Sequence, residues 1–300
     1  MKLNPVGIIG FNRPIHLQNL LESLSKNKEI KDTKVYFFID GFNKESDKDS
    51  NSDVLKVCNQ KWGFKESEII VNNENIGLKK QIIKSGNFLA NRYESFILLE
   101  DDLIVGEYFL DYMNKSLDIY KDHENIFHIN GYNFKNKFLN SRGTYISKFI
   151  HPWGWGTWSH KWLDFTSDID FDKNKIKYRK PVDQYRFNFF NLATYKIQLD
   201  KNEKKLISTW AVYWYQYIFL KSGYSVIPGK SQTVNEGFDG TGTNSGKNSN
   251  HYTKLNQSKI SNFSMKDTNK NLALISNLQW HIKLKIKDYF KYHLVNKYKD

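Results

Sequence analysis

The chain has 300 residues, of which 39% are hydrophobic and 26% are charged. These proportions are typical of globular proteins and exclude a disordered, collagen-like or coiled-coil chain. No apolar run reaches the roughly 18 residues of a transmembrane helix, and no secretory signal is visible. Cys58 is the single cysteine, which excludes a disulfide framework and a cysteine-based zinc site. The sequence therefore predicts a cytoplasmic protein.

The formal net charge of +13 is concentrated near the C-terminus. Residues 246–300 contain eleven lysines and three aspartates, a net charge of +8, which leaves about +5 for the preceding 245 residues. A nucleic-acid groove would need the basic charge on the body of the protein. We therefore expect no nucleic-acid partner.

Strand and helix patterns alternate through the first hundred residues. Apolar runs predict strands at 6–10, 35–39, 68–71 and 95–99, and helical patterns follow the first three at 14–24, 47–61 and 78–91. Such β-α units predict an α/β fold with a mainly parallel, Rossmann-like sheet flanked by helices. The later pattern is less regular and predicts an irregular half, with a helix at 107–120, a strand at 126–129, an aromatic helix at 210–220 and a glycine-rich loop at 235–243.

Polar residues follow the predicted parallel strands where each strand ends. Asn12 and Arg13 follow the first strand, Asp40 follows the second, and the acidic triplet 100–102 follows the fourth. Ligands of such sheets bind beyond the carboxyl ends of the strands. The topology thus predicts that these side chains lie together at one rim, the edge of the sheet formed by the carboxyl ends of the strands.

The triplet Glu100, Asp101 and Asp102 concentrates negative charge, which is costly unless a cation or hydrogen-bond donors neutralise it. Carboxylates suit Mg²⁺ or Mn²⁺, which bind through one or two of them together with substrate phosphates. A solvated acidic turn before a helix is the alternative. Arg13 could pair with a diphosphate or be a surface arginine, and Asp40 could accept a nucleobase N–H or open a turn.

An aromatic block at 151–158 contains Trp153, Gly154 and Trp155. Indole rings stack on the apolar faces of sugars, and glycine allows close backbone approach to a ligand. Core packing is the alternative, and it is the favoured interpretation for the aromatic residues of 210–220.

Taken in order, these motifs resemble GT-A-fold glycosyltransferases. They are Phe-Asn-Arg-Pro at 11–14, Phe-Ile-Asp at 38–40, Asn-Ile-Gly-Leu at 75–78, Leu-Glu-Asp-Asp-Leu at 99–103 and Pro-Trp-Gly-Trp-Gly at 152–156. The resemblance covers residues 5–245 and is nearest to bacterial sugar transferases of surface-polysaccharide clusters. N-acetylglucosaminyltransferase I is more distantly similar.

The resemblance implies a cytoplasmic hexosyl- or N-acetylhexosaminyltransferase with a nucleotide-sugar donor, such as a UDP-sugar, and a glycan or lipid-linked glycan acceptor. Asp102 would coordinate Mn²⁺ or Mg²⁺ at the diphosphate, Arg13 would contact the diphosphate, and Asp40 would contact the uracil. The residues expected to bind the nucleotide are Asn12, Arg13, Asp40, Glu100 and Asp101. Trp153, Gly154 and Trp155 would bind substrate.

A general base is harder to identify. The segment 209–212, where the distant relative has an acidic pair, contains no acid. Glu236 and Asp239 in the glycine-rich loop are the candidates, with ordinary turn chemistry as the alternative. A nucleotide-sugar-binding or glycan-binding protein without turnover is the alternative function.

The sequence predicts three segments: a catalytic domain at 1–245, a polar linker or flap at 246–271, and a basic amphipathic segment at 272–300. Apolar residues at every fourth position from 278 to 294 lie beside a row of lysines. Such a helix can lie on an anionic membrane, here the inner face of the cell membrane, or pack on the domain.

Overall fold

The protein is described here from a computed structural model that covers residues 3–134, 139–168, 181–190, 192–240 and 253–263. The strands are β1 (Val6–Gly10), β2 (Lys34–Ile39), β3 (Glu66–Val71), β4 (Ser95–Glu100), β5 (Leu103–Val105), β6 (Ile126–Asn130), β7 (Thr144–Ser147), β8 (Trp155–Trp158), β9 (Tyr224–Pro228) and β10 (Thr233–Asn235). The α-helices are α1 (Pro14–Leu24), α2 (Lys48–Cys58), α3 (Leu78–Ala90), α4 (Phe109–Ile119), α5 (Ser159–Asp168), α6 (Pro181–Phe187), α7 (Tyr195–Glu203) and α8 (Ala211–Leu220).

Eight of these strands form one sheet in the order β3-β2-β1-β4-β8-β6-β9-β7. Its first half is parallel, because β1 pairs with β2 and β4 and β2 pairs with β3 in the same direction. The four strands and three helices expected in the first hundred residues are present. With helices on both faces, the α/β class with a mainly parallel sheet is confirmed.

The second half of the sheet is mixed. Strand β8 pairs antiparallel with both β4 and β6, β9 pairs parallel with β6, and β7 pairs antiparallel with β9. The sequence pattern missed β7, β8 and β9. Strands β7 and β8 are hard to detect because they have only four residues each, and β8 is formed by the aromatic block.

Alternate residues of the central strands supply two cores. Ile8, Phe37 and Leu99 face the core that contains residues of α1, α2 and α4. Phe38 and Leu98 face the other core, which contains residues of α3, α5 and α8. The second core is unusually aromatic, and Trp155, Trp162 and Trp214 are among its fully buried side chains.

Helix α3 packs closely against α5 at Gly86. A Cβ on Gly86 would lie 2.5 Å from the Trp162 ring, so glycine lets the two helices approach. Trp162 Nε1 also donates a hydrogen bond to Asn87 Oδ1 at 3.0 Å. This contact fixes α3, whose N-terminus faces the edge of the sheet where the predicted ligand residues lie.

Two further pieces complete the body. Strands β5 and β10 form a small antiparallel sheet beyond the end of β4. Residues 253–263 pack against the body, where Ile260 is fully buried and Asn256 N donates to Ser231 O at 2.7 Å. The predicted amphipathic segment 272–300 lies outside the described residues, and the three-segment division stays a prediction. No helix in the described ranges has the length and apolarity that crossing a bilayer requires.

Candidate active site

A cavity of about 650 Å³ opens at the carboxyl ends of the parallel strands. Its walls come from the ends of β1, β2 and β4, the start of α3, and the chain around β10. The structure brings together at this cavity all six polar residues that the topology gathered at one rim: Asn12, Arg13, Asp40, Glu100, Asp101 and Asp102.

The acidic triplet lies where β4 ends. Glu100 is the last residue of that strand, and Asp101 and Asp102 are only 4% and 8% exposed. Burial raises the pKa of Glu100, and the charges of Asp102 and Asp101 raise it further. Burial also raises the pKa of Asp101, although Arg13 opposes that effect. A positive charge nearby would therefore stabilise the ionised forms of Glu100 and Asp101.

Arg13 supplies part of that charge. It stands between β1 and α1, where Pro14 begins the helix. Its Nη1 lies 3.1 Å from Asp102 Oδ2, and its Nη2 forms a close ion pair with Asp101 Oδ1. Burial acts to lower the pKa of Arg13, but attraction to the two carboxylates outweighs it and raises that pKa.

The small sheet of β5 and β10 fixes Asp102 from the other side. Asn235 Nδ2 donates to Asp102 Oδ1 at 3.3 Å, and Glu236 N donates to the Asp102 backbone oxygen at 2.8 Å. A Cβ on Gly237 would lie 2.1 Å from Asp102 Oδ2. The carboxylate thus lies in a cradle that only glycine at position 237 leaves open.

Asp40 is bound to a neighbouring loop. Its Oδ1 accepts hydrogen bonds from the backbone N–H of Ile76 at 3.0 Å and from Asn72 Nδ2 at 2.9 Å, and its Oδ2 accepts one from Gly77 N at 2.9 Å. Asp40 therefore holds the loop that precedes α3 against the end of β2. Its contact with a nucleobase stays a prediction.

Asn12 also has a partner within the protein, because its Nδ2 donates to Asp47 Oδ1 at 3.0 Å. Motif reasoning missed several lining residues, among them Asn43, Lys44, Gln81, Ser208, Asn235 and Phe238. The polar segment after β2 and the glycine-rich loop were visible in the sequence. Their side chains could be assigned to the cavity only once the fold had placed those segments beside it.

The aromatic block divides between the cavity and the core. Trp153 lines the cavity, and its ring meets that of Phe238 edge to face at a centroid distance of 5.5 Å. Trp155 is 1% exposed and packs on Trp162 and Trp210 in the aromatic core, away from the lining. Trp155 therefore lies where the alternative of core packing, rather than that of sugar binding, would place it.

Gly154 has a conformational role at this junction. Its φ is +72°, a region that side-chain-bearing residues rarely adopt, and its carbonyl accepts a hydrogen bond from Gly131 N at 2.6 Å. A Cβ there would lie 2.8 Å from Thr233 Cγ2. Gly154 therefore permits the turn that separates Trp153 at the cavity from Trp155 in the core.

The two candidates for the general base lie in the chain after β10. The Glu236 side chain is exposed and does not line the cavity. The backbone of Asp239 belongs to a short 3₁₀ turn at Gly237–Asp239, and its side chain is outside the described part. Both assignments stay predictions.

The residues of the cavity provide a partial metal site. Across the described ranges, no three His, Cys, Asp or Glu side chains are arranged to hold a metal ion by themselves. However, Mg²⁺ and Mn²⁺ often bind through one or two carboxylates and complete their shell with substrate phosphates and water. The cradled oxygens of Asp102, with two further acids and one arginine beside them, fit that kind of site.

Comparisons with known proteins return solved structures only. No protein-family model matches the sequence, and no curated protein matches it. The mannosyltransferase PcManGT from Pyrobaculum calidifontis, in complex with GDP-Man and Mn²⁺, matches with a TM-score of 0.37 and 9% identity over 52% of this chain. TarS from S. aureus matches with a TM-score of 0.33 and 14% identity over 48% of this chain. The matches span 45% and 25% of the lengths of those two chains.

Proposed function

We propose that this protein is a GT-A-like glycosyltransferase that moves a sugar from a nucleotide donor to a glycan or lipid-linked glycan. One observation carries the proposal: an acidic triplet at the end of β4, with Asp101 and Asp102 buried and ion-paired to Arg13, lines a cavity of about 650 Å³ at the carboxyl edge of the parallel strands. That edge of the sheet is where α/β proteins bind nucleotides. The volume of the cavity is typical of small-molecule sites.

The side chains provide the functions that such a transfer needs. Transition-state charge develops on the departing diphosphate, and a fixed guanidinium stabilises such charge effectively in a site shielded from water. Arg13 is 20% exposed as a side chain, so it can reach a ligand in the cavity. The loop held by Asp40 and the N-terminal turn of α3 shape the wall for the nucleoside. Trp153 offers an apolar face to a sugar ring.

A divalent cation, Mn²⁺ or Mg²⁺, is part of the proposal. Bound to Asp102, it would supply Lewis-acid stabilisation of the diphosphate leaving group. Asn235 and Gly237 support this role, since they fix the orientation of the Asp102 carboxylate. Asp101 and Glu100 would then orient the donor sugar or ribose through their carboxyl oxygens.

The experiment measures release of nucleoside diphosphate from a panel of UDP-, GDP- and dTDP-sugars, with and without Mn²⁺ and with candidate acceptors. We expect turnover with at least one donor, and Asp102→Asn should lower it by about a hundredfold or more. Asp118→Asn, the same change at an exposed acid of α4, serves as the control. Full turnover by the Asp102 variant would refute the site.

A binding protein without turnover is the second candidate. It is favoured by one observation, namely that the exposed Glu236 does not reach the cavity. Calorimetry that shows tight binding of a nucleotide sugar, together with no transfer to any acceptor, would support this function over the first. Loss of activity in Glu236→Gln would instead identify the base and favour the transferase.

Further aspects of the function remain proposals from the sequence. A UDP-sugar is the proposed donor, and surface-polysaccharide synthesis on the cytoplasmic side is the proposed setting. The lysine-rich segment 272–300 is proposed to contact the anionic inner face of the cell membrane, where a lipid-linked acceptor would be anchored. Binding of the full chain to vesicles with and without anionic lipid tests that contact.

A further inference from the structure

The contacts of Arg13 with the acidic triplet affect how a divalent cation and a diphosphate can bind at the site. One guanidinium spans two successive carboxylates, with Nη2 on Asp101 and Nη1 at 3.1 Å from Asp102 Oδ2. The Asp101 and Asp102 side chains are 5% and 10% exposed, against 20% for Arg13. The Arg13 side chain is therefore more accessible than that of either aspartate.

Two further protein groups lie close to the Asp102 carboxylate. Asn235 Nδ2 lies 3.3 Å from Oδ1, and the backbone at Gly237 comes so close to Oδ2 that even a Cβ there would be 2.1 Å away. A divalent cation binds carboxylate oxygens at roughly 2.0–2.6 Å. An ion at Oδ2 would therefore lie close to Nη1, and two cations so near each other repel strongly in a partly buried site.

The edge of the Arg13 guanidinium formed by Nη1 and Nη2 is already engaged by the two aspartates. A guanidinium binds a carboxylate or a diphosphate through parallel N–H bonds in the plane of its fork, and Arg13 already directs two of its nitrogens at the aspartates. A diphosphate in the cavity would offer Arg13 an alternative anion. Release of Asp102 would then leave a carboxylate oxygen open to the cation.

We propose that Arg13 is an internal counter-cation that closes the acidic site in the donor-free protein and leaves Asp102 when a diphosphate binds. This inference rests on the proposed function and deepens it. Its consequence is positive coupling: diphosphate strengthens binding of the divalent cation, and the cation strengthens binding of diphosphate by the same factor. Premature loading of the cation is thereby disfavoured.

A purely structural role for Arg13 makes the opposite prediction. If its main effect were to hold the two aspartates in a competent arrangement, then removal of the guanidinium would let the like-charged carboxylates separate. Affinity for the cation would fall. The direction of the change in metal affinity therefore distinguishes the two roles, even before any transfer reaction is measured.

The test is a titration of the full chain with Mn²⁺ alone. Calorimetry measures the binding, and electron paramagnetic resonance measures the concentration of free Mn²⁺. We expect Arg13→Gln to bind Mn²⁺ about tenfold more tightly than the wild type or better, because a repelling charge is gone. With UDP present, the wild type should gain about tenfold or more in Mn²⁺ affinity. The variant should gain much less.

Two further variants complete the experiment. Arg92→Gln removes the same charge from a guanidinium that lies on the Phe88 ring at 3.6 Å, outside the cavity lining, and should behave as the wild type. Arg13→Lys keeps the charge but cannot span two carboxylates, so it should give an intermediate Mn²⁺ affinity. Thermal unfolding of each variant confirms that the fold is intact.

Weaker or unchanged Mn²⁺ binding by folded Arg13→Gln would overturn the inference, and so would equal gains from UDP in the variant and the wild type. Neither result depends on turnover. The proposed transferase would survive either of them if sugar transfer still required Asp102. Conversely, tighter Mn²⁺ binding by the variant would support the counter-cation role even where no donor in the panel is turned over.

Discussion

Replacement of Gly237 by alanine tests how far the position of one carboxylate controls the site. The added Cβ would lie 2.1 Å from Asp102 Oδ2 and 2.9 Å from its Cγ, whereas such contacts are essentially never shorter than 3.0 Å. The backbone of Gly237 is not in the left-handed region, so alanine is tolerated there apart from this clash. The strain can be relieved only if the carboxylate or the loop moves by roughly 1 Å.

A shift of that size is enough to impair catalysis. Misplacement of a catalytic group by about 1 Å can cost roughly a hundredfold in rate, while the charge of the site is unchanged. We therefore expect Gly237→Ala to lower donor turnover by about a hundredfold. Overpacking should reduce the free energy of unfolding by only about 1–3 kcal/mol.

The assay compares nucleoside diphosphate release, Mn²⁺ affinity and thermal unfolding for Gly237→Ala with those for Gly106→Ala. The control makes the same change where the nearest atoms would be 3.5 Å from the new Cβ, an ordinary contact, and it lies outside the cavity lining. Turnover by folded Gly237→Ala at the wild-type level would refute the reasoning, since it would show that the position of Asp102 is not critical.

Other parts of the structure give further predictions. Trp214 Nε1 donates to His128 Nδ1 at 3.0 Å, and burial lowers the pKa of His128 to about 3, so unfolding free energy should fall as pH drops below 6.5, by about 2 kcal/mol at pH 5. Denaturant titrations of the wild type and of His128→Asn at pH 6.5 and at pH 5 check this. The same pH dependence of the unfolding free energy in the two proteins would contradict it. Gly86→Ala forces a Cβ to within 2.5 Å of the Trp162 ring and should cost about 1–3 kcal/mol in denaturant unfolding; an unchanged midpoint would argue against close packing there. Trp153→Ala should raise the donor or acceptor KM by about tenfold, and because the ring also packs on Tyr132 at a centroid distance of 4.6 Å it should lower the unfolding midpoint; an unaltered KM in the folded variant would remove Trp153 from the substrate site.

The parallel half of the fold was predictable because its strands are continuous apolar runs. A strand buried on both faces needs such a run, and the polar residue that ends it marks the edge of the sheet. Asp40 and the triplet 100–102 were therefore placed at one rim from the sequence alone. The cavity that they line together with Arg13 agrees with that placement.

The second half was less predictable because its information is not local. Strand β8 is inserted between β4 and β6, and its four residues carry the same aromatic signal as a ligand-binding block. The burial of Trp155 follows from three rings on other elements, which no short window contains. Likewise, the cradle of Asp102 depends on contacts with residues 235–237, more than 130 positions away in the chain.

The packing of residues 253–263 has a practical consequence for anyone who shortens this chain. Truncation at the predicted boundary of residue 245 would uncover the apolar surface that Ile260 fills and would remove the bond from Asn256 N to Ser231 O, close in sequence to β10. Because β10 leads directly to Gly237, loss of this bond should also loosen the loop that positions Asp102. A minimal fragment for crystallisation or screening should therefore extend through residue 263.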